Sequence, residues 1–186
     1  MAVKVLIPLA AGGEELESVT MINLFRRAGF TVVSAGLDVS RKPVKCARGT
    51  VIIPDATLDE CLHDEFDLVA LPGGQPGTDT LRKDGRILKL VRDQVAAGRY
   101  MAAICAAPMV LGEADVLSGR AVTCYPGTLD GQGFSDIDFR SDPVVVDGKI
   151  VTSKGPGTAL DFALTLIELL AGVDTRRKVE AGLQRC

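Results

Sequence analysis

With 186 residues and 47% hydrophobic content the chain is long enough to bury one sizeable core, and its formal net charge of −3 is mixed along its length. No basic stripe or aromatic platform suggests nucleic acid, no apolar run reads as a membrane span, and residues 1–6 enter a strand-like run at once, leaving no room for a signal peptide. Five cysteines, at 46, 61, 105, 124 and 186, include no C-x-x-C pair, so no zinc site, other metal site or thioredoxin motif is expected, and their spacing fits a reducing, cytoplasmic setting.

The elements alternate. Residues 3–7 read as a buried strand, followed by a Gly12-Gly13 loop. An amphipathic helix is expected over 14–28, with Leu16, Val19, Phe25 and Ala28 as its apolar face and Gly29 as its stop. Residues 31–34 form a second strand. The segment 36–57 is irregular, with a short strand at 51–53 that suits an edge hairpin. Residues 67–71 make another buried strand closed by Pro72-Gly73-Gly74. A helix over 85–97 places Ile87, Leu88, Val91 and Val95 at helical spacing, capped by Gly98. Strands at 144–146 and 150–152 flank Asp147-Gly148, a hairpin signal. Thr158-x-x-Asp161 resembles a capping box opening an apolar helix to residue 171, stopped by Gly172, and a short helix covers 175–182.

Strands alternating with helices imply a mostly parallel sheet covered on both faces, and no repeat or linker divides the chain, so residues 1–186 are read as one domain. In such sheets ligands sit at the carboxyl ends of the strands. That rule gathers three loops: residues 10–17, Pro72-Gly73-Gly74 and Cys105. Gly12-Gly13 lacks the dinucleotide-binding spacing and no Gly-Lys-Ser/Thr occurs, so no nucleotide or other cofactor is expected.

The chemistry concentrates in the run from Tyr100 to Pro108. An apolar strand stops on Cys105 and turns directly into a helix-like segment, with small Ala103 and Ala107 two positions to either side, which is the nucleophile-elbow pattern. A sulfur at the positive end of a helix is favoured as thiolate. A buried core cysteine ending a strand explains the same local pattern. An acid beside the sulfur helps only if burial keeps it protonated, when it donates a hydrogen bond to thiolate or sulfinate. Glu14, Glu15 and Glu17 all lie near the start of the first helix, where the dipole favours acids in any case. Spacing does not separate them.

Four motifs in order, Gly-Gly-Glu-Glu-Leu-Glu17, Leu71-Pro-Gly-Gly74, Ala103-Ile-Cys-Ala-Ala-Pro108 and Thr152-Ser-Lys-Gly-Pro-Gly-Thr158, resemble the ThiJ/PfpI superfamily, more narrowly its DJ-one/YajL branch, over about residues 3–183. The resemblance implies a flavodoxin-like, doubly wound three-layer sandwich assembled as a homodimer. It implies Cys105 as the reactive cysteine and Glu17 as its carboxyl partner. Backbone N–H groups around Gly73, Gly74 and Ala106 then form an anion pocket. Arg27 and Arg48 match basic positions around that pocket, one reaching from a partner subunit, and Tyr125 falls at its rim. Cys46 matches a segment near the dimer interface.

Protease-like members carry a histidine after the nucleophile, where this chain has Ala106, and Tyr125 stands where the branch has another histidine. The single histidine, His63, sits in a polar segment and reads as a surface residue, so a Cys–His hydrolase mechanism is not expected. Cys46 and Cys124 read as core or interface residues able in principle to resolve a sulfenate, and Cys61 and Cys186 as exposed and incidentally oxidisable. Two functions follow from the resemblance. One is a cysteine-dependent enzyme acting on small reactive carbonyls or glycated adducts, releasing lactate or glycolate. The other is a non-catalytic oxidative-stress sensor and redox-responsive chaperone with client proteins.

Overall fold

The computed structural model describes residues 2–185, so Cys186 lies outside the described residues. Continuous apolar runs form the central strands because both faces of each are covered. In chain order the elements are β1 (Lys4–Leu9), α1 (Glu15–Arg27), β2 (Thr31–Gly36), β3 (Val44–Lys45), β4 (Val51–Ile52), β5 (Ala56–Thr57), α2 (Leu58–Cys61), β6 (Leu68–Leu71), α3 (Gly77–Lys83) and α4 (Gly85–Ala96). There follow β7 (Tyr100–Ile104), α5 (Pro108–Glu113), β8 (Ala121–Val122), β9 (Asp138–Phe139), β10 (Val144–Asp147), β11 (Ile150–Ser153), a 3-10 turn (Pro156–Thr158) and α6 (Ala159–Ala181).

Seven strands make one sheet in the order β10-β11-β7-β6-β1-β2-β5, all parallel except the β10–β11 hairpin. Counting its central parallel strands in chain order gives 2-1-3-4-5, the flavodoxin-like order. Alternate side chains of β1 feed two cores. Val5, Ile7 and Leu9 pack with Phe25 of α1 and with Phe162 and Leu166 of α6. Leu6 faces the other layer with Leu71, Ile87, Val91 and Val110. The result is the expected α/β three-layer sandwich. The small β3–β4 hairpin supplies the edge feature expected near residues 51–53.

Several local expectations change. Leu16 and Val19 are not on the buried face of α1 but roughly half exposed, and the buried residues are Glu15, Glu17, Ser18, Met21, Leu24 and Phe25. The helix is rotated so that acids, not aliphatics, enter the protein at its first turn. Thr158 makes no capping box with Asp161: its hydroxyl turns back to Gly155 and Ser153, while Asp161 pairs with Arg185 at 2.7 Å. A reciprocal capping box occurs instead at Thr57 and Glu60. The β10–β11 turn is Gly148-Lys149, one residue later than expected, because Asp147 still pairs with Ile150. Gly172, with φ 84, breaks α6 as expected. The segment Pro156–Ala181 is nonetheless long and apolar enough to cross a membrane by length and composition, which corrects the expectation of no such run. Its first half buries Phe162, Leu164, Leu166 and Ile167 in the core.

Candidate functional site: a thiol elbow at the switch point

The sheet reverses its winding between β1 and β6, because β1 pairs with β2 on one side and β6 on the other. The crevice this leaves at the strand ends is where α/β sheets bind ligands. Four connections meet there. The loop after β1 is fastened to the loop after β6 by Glu14 N–H donating to Gly73 C=O at 2.9 Å. Contact is so close that a Cβ on Gly74, whose φ is 87, would lie 2.4 Å from Glu14 N. A Cβ on Gly73 would lie 2.6 Å from Cys105 Cβ and 2.7 Å from Ile104 O. Glycine is required at both positions, for want of space and at Gly74 also by its backbone angle.

Cys105 leaves β7 at φ 63, the left-handed region that non-glycine residues rarely occupy. Its neighbours hold it there. Cys105 N–H donates to Ser153 C=O at 2.9 Å, and Cys105 C=O accepts from Tyr125 N–H at 2.9 Å. The backbone N–H groups of Gly74 and Ala106 are directed at the sulfur, and the side chain is 8% exposed.

The three acids near the start of α1 have three different fates. Glu14 caps the helix, accepting from Leu16 N–H at 3.4 Å, and lines the cleft. Glu15 accepts from Arg48 N–H at 3.0 Å and Thr50 N–H at 3.2 Å, anchoring the tip of the β3–β4 hairpin. Burial opposes its charge, but those backbone donors hold its carboxyl below the usual range. Glu17 is fully buried. Its Oε2 accepts from Gly73 N–H at 2.7 Å, and its Oε1 has no conventional hydrogen-bond partner. The Cys105 thiol is the polar neighbour with which it titrates.

Burial pushes Glu17 up to about 7, against the Gly73 and Cys105 hydrogen bonds. Burial also pushes Cys105 up, to about 12, and the Glu17 charge adds to it while the Gly74 and Ala106 N–H groups oppose. The expected lowering of the thiol by a helix end is therefore outweighed. Helix α5 is only six residues long and desolvation acts on the whole charge. The two groups behave as a pair that loses one proton near neutrality and resists losing a second. The first proton comes off Glu17, whose carboxylate Gly73 N–H stabilises, and that charge then opposes ionisation of Cys105, which the Gly74 and Ala106 N–H groups only partly offset.

Above the sulfur opens a cleft of about 570 Å³, lined among others by Glu14, Arg48, Gly74, Cys105, Ala106, Met109, Tyr125 and Gln132. Arg48 and Tyr125, which is 52% exposed, both line this cleft. Arg27 does not. It lies in the last turn of α1, ten residues beyond Glu17, about 15 Å along the helix, and donates to Asn23 Oδ1 at 2.7 Å. That position lies outside this cleft. Met109 and Gln132 were not anticipated. Arg82 joins them, donating to Gln132 Oε1 at 3.1 Å, and nothing in residue spacing signals that meeting.

The remaining described cysteines are free. Cys61 is buried rather than exposed, because α2 turns it into the core beside Leu58 and Phe66. Burial raises the thiols of Cys46, Cys61 and Cys124 alike. His63 is exposed in the segment before β6 and takes no part in the cleft. Among the described residues no group of three or more His, Cys, Asp or Glu side chains is placed to hold a metal.

A flavodoxin-like sheet whose switch-point crevice holds a left-handed cysteine beside a buried carboxyl, without an imidazole, defines a thiol–carboxyl α/β protein. The family model described as DJ-1/PfpI family matches residues 3–169, and the chain belongs to that family. It is similar to Protein dj-1beta of Drosophila melanogaster, 41% identical over 184 residues covering 98% of this chain and 97% of that protein. The crystal structure of Drosophila melanogaster DJ-1beta matches with a TM-score of 0.94 at 40% identity, covering 100% of each chain. Similarity also extends to Glutathione-independent glyoxalase DJR-1.2 of Caenorhabditis elegans, 38% identical over 159 residues covering 86% of this chain and 83% of that protein.

Proposed function

We propose that this protein is a cysteine-dependent stress-protection enzyme acting on small reactive carbonyls, free or as glycated adducts, through Cys105 and Glu17. The observation that carries the reading is the buried Glu17 carboxyl, near neutral in its titration, beside a thiol presented to an open cleft. Similarity to a glutathione-independent glyoxalase supports the substrate class.

Transfer of the Cys105 proton to the Glu17 carboxylate leaves a thiolate, which attacks the aldehyde carbon of methylglyoxal. The new S–C bond takes the sulfur lone pair, the carbonyl π pair moves to oxygen, and the oxyanion is received by Gly74 and Ala106 N–H and protonated by Glu17. The Glu17 carboxylate then removes the proton from that carbon and returns it to the neighbouring carbon, while the hydroxyl proton passes from the first oxygen to the second, so that the ketone becomes an alcohol and the hemithioacetal carbon a thioester. One carbon is oxidised as the other is reduced, so no external redox partner enters. Water hydrolyses the resulting thioester, releasing lactate and the thiol. Glyoxal gives glycolate by the same route.

The absence of an imidazole from the cleft favours a second reading, a non-catalytic oxidative-stress sensor and redox-responsive chaperone whose Cys105 oxidises to sulfinic acid. Under either reading we place the protein in a reducing cytoplasm as a homodimer. Exposed Leu16 and Val19 on α1, tied through Glu15 to the hairpin that carries exposed Val51 and Ile53, supply an apolar face for the contact. The deciding experiment follows methylglyoxal consumption and lactate release in amine-free buffer for wild type and Cys105→Ser. Turnover lost in the variant supports the enzyme. Stoichiometric Cys105 modification without turnover overturns it in favour of the sensor.

A further inference from the structure

The wall of the site contributed by residues 153–158 is bonded in an unusual way for a strand-to-helix connection. Ser153 does two things at once: its C=O accepts the Cys105 N–H, and its hydroxyl meets Thr158 Oγ1 at 2.6 Å and donates to Pro143 C=O at 2.8 Å. Thr158 Oγ1 in turn accepts from Gly155 N–H at 3.1 Å and lies 2.9 Å from Gly155 O, its one proton shared between that carbonyl and Ser153 Oγ. This is why Thr158 gives no cap to α6. Its hydroxyl is committed to Gly155.

Gly155 is extended, with φ 163 and ψ −164, a conformation open to any residue. Its lack of a side chain is therefore not explained by backbone geometry. It is explained by what lies beside it. A Cβ there would sit 3.4 Å from the Tyr125 ring and 3.9 Å from Cys105 Sγ, in ordinary contact with both. A methyl group fits that space in the resting protein and fills it. The space adjoins the sulfur, so a group newly bonded to sulfur competes for it.

We propose that Gly155, held in place by Thr158, is a specificity-determining position of the Cys105 site, reserving a methyl-sized space for the substituent of the atom that bonds to sulfur. Thr158 is a positioning residue acting through Gly155. The inference rests on the carbonyl reading for its substrate, but the space itself is independent of it. A site so arranged accepts a ketoaldehyde, whose methyl ketone extends from the reacting carbon, as well as the smaller dialdehyde.

The test compares wild type, Gly155→Ala, Thr158→Ser and Thr158→Val in two assays. The first is the rate of Cys105 alkylation by iodoacetamide against N-ethylmaleimide, read on the Cys105 peptide by mass spectrometry. The second is kcat/KM for methylglyoxal against glyoxal. Gly155→Ala is expected to penalise the larger member of each pair about 10-fold more than the smaller, the usual worth of one carbon in a pocket. Thr158→Ser is expected to keep the wild-type ratios and Thr158→Val to change them. Equal effects on both members of a pair overturn the proposal. If circular dichroism shows Gly155→Ala unfolded, the Thr158 variants decide, and identical ratios in Ser and Val overturn it. Wild type inert to both dicarbonyls overturns the carbonyl reading alone, and the alkylation ratio still decides the role of Gly155.

Discussion

Glu17 and Gly73 are joined by a 2.7 Å hydrogen bond that uses Oε2 and leaves Oε1 buried without a conventional partner beside Cys105. One half of the carboxyl is thus tied to the loop after β6, and the other half is left to the chemistry. The arrangement fixes the orientation of Glu17 without exhausting it, and it makes the protonation of the pair measurable.

Cys105 alkylation in wild type is expected to stay slow through neutrality, because the thiol is held up toward about 12 by burial and by the Glu17 charge that forms near 7. In Glu17→Gln the rise is expected to begin at lower pH, because the carboxylate charge that helps to raise the thiol is gone. Iodoacetamide rates from pH 5 to 10 check this. Profiles that coincide in wild type and variant remove Glu17 as a cause of the raised thiol.

Stability follows the same group with a definite sign. The folded value of Glu17, about 7, lies above its usual 4.5, so folding favours the protonated form. Its contribution is complete below about 4.5 and is lost as pH rises through about 7, a change on the order of 3 kcal/mol at full burial. Glu17→Gln removes this dependence. Its stability relative to wild type is expected to be greater at pH 8 than at pH 4.5, as read by urea midpoints at the two pH values.

Gly74→Ala forces a Cβ to within 2.4 Å of Glu14 N at a φ of 87. The expected loss is about 2 kcal/mol or more, a Tm drop of roughly 4–8 °C, with Cys105 reactivity reduced as the Gly74 N–H moves. A variant that melts with wild type shows that the two loops do not pack as described. Scanning calorimetry provides the measurement.

Glu15→Ala deprives Arg48 and Thr50 of their carboxylate acceptor. The hairpin tip that brings Arg48 to the cleft is expected to loosen, raising KM several-fold with little change in kcat and increasing proteolysis between residues 45 and 51. Since the Glu15 value is lowered in the fold, the support it gives in wild type fades as pH falls below the ordinary carboxylate range. Steady-state kinetics and limited trypsin digestion read the outcome.

Sedimentation equilibrium is expected to show a dimer, weakened by Leu16→Glu, which places charge on the exposed face of α1. A monomer at micromolar concentration for wild type removes the homodimer from the proposed function.

Much of this molecule is legible in its residues. Strands β1, β6 and β7 announce themselves as unbroken apolar runs because both faces are covered, and α1 and α4 end at Gly29 and Gly98, each with φ well above zero. The elbow reads as one because a strand stops on Cys105 among alanines. Helix α3 escapes that reading, since only Gly77, Thr78 and Leu81 of its seven residues are buried and no periodic apolar face forms. The rotation of α1 escapes as well: Leu16 and Val19 look like core residues until the sheet dictates which side of the helix it covers.

The same rotation marks the boundary between what the chain alone determined and what the tertiary structure decided. Residue order sets an acidic first turn, glycine loops at strand ends and a cysteine elbow, all local consequences of chain geometry. Each step along a helix turns the side chain by about 100°, so Glu14, Glu15 and Glu17 point to different surroundings. Only the packed loops supply those surroundings: solvent at the cleft for Glu14, the hairpin amides for Glu15, and Gly73 with Cys105 for Glu17. Burial, which raises one of these carboxyls and not its neighbours to near neutrality, is a property of contacts between segments distant in sequence, and no local pattern contains it.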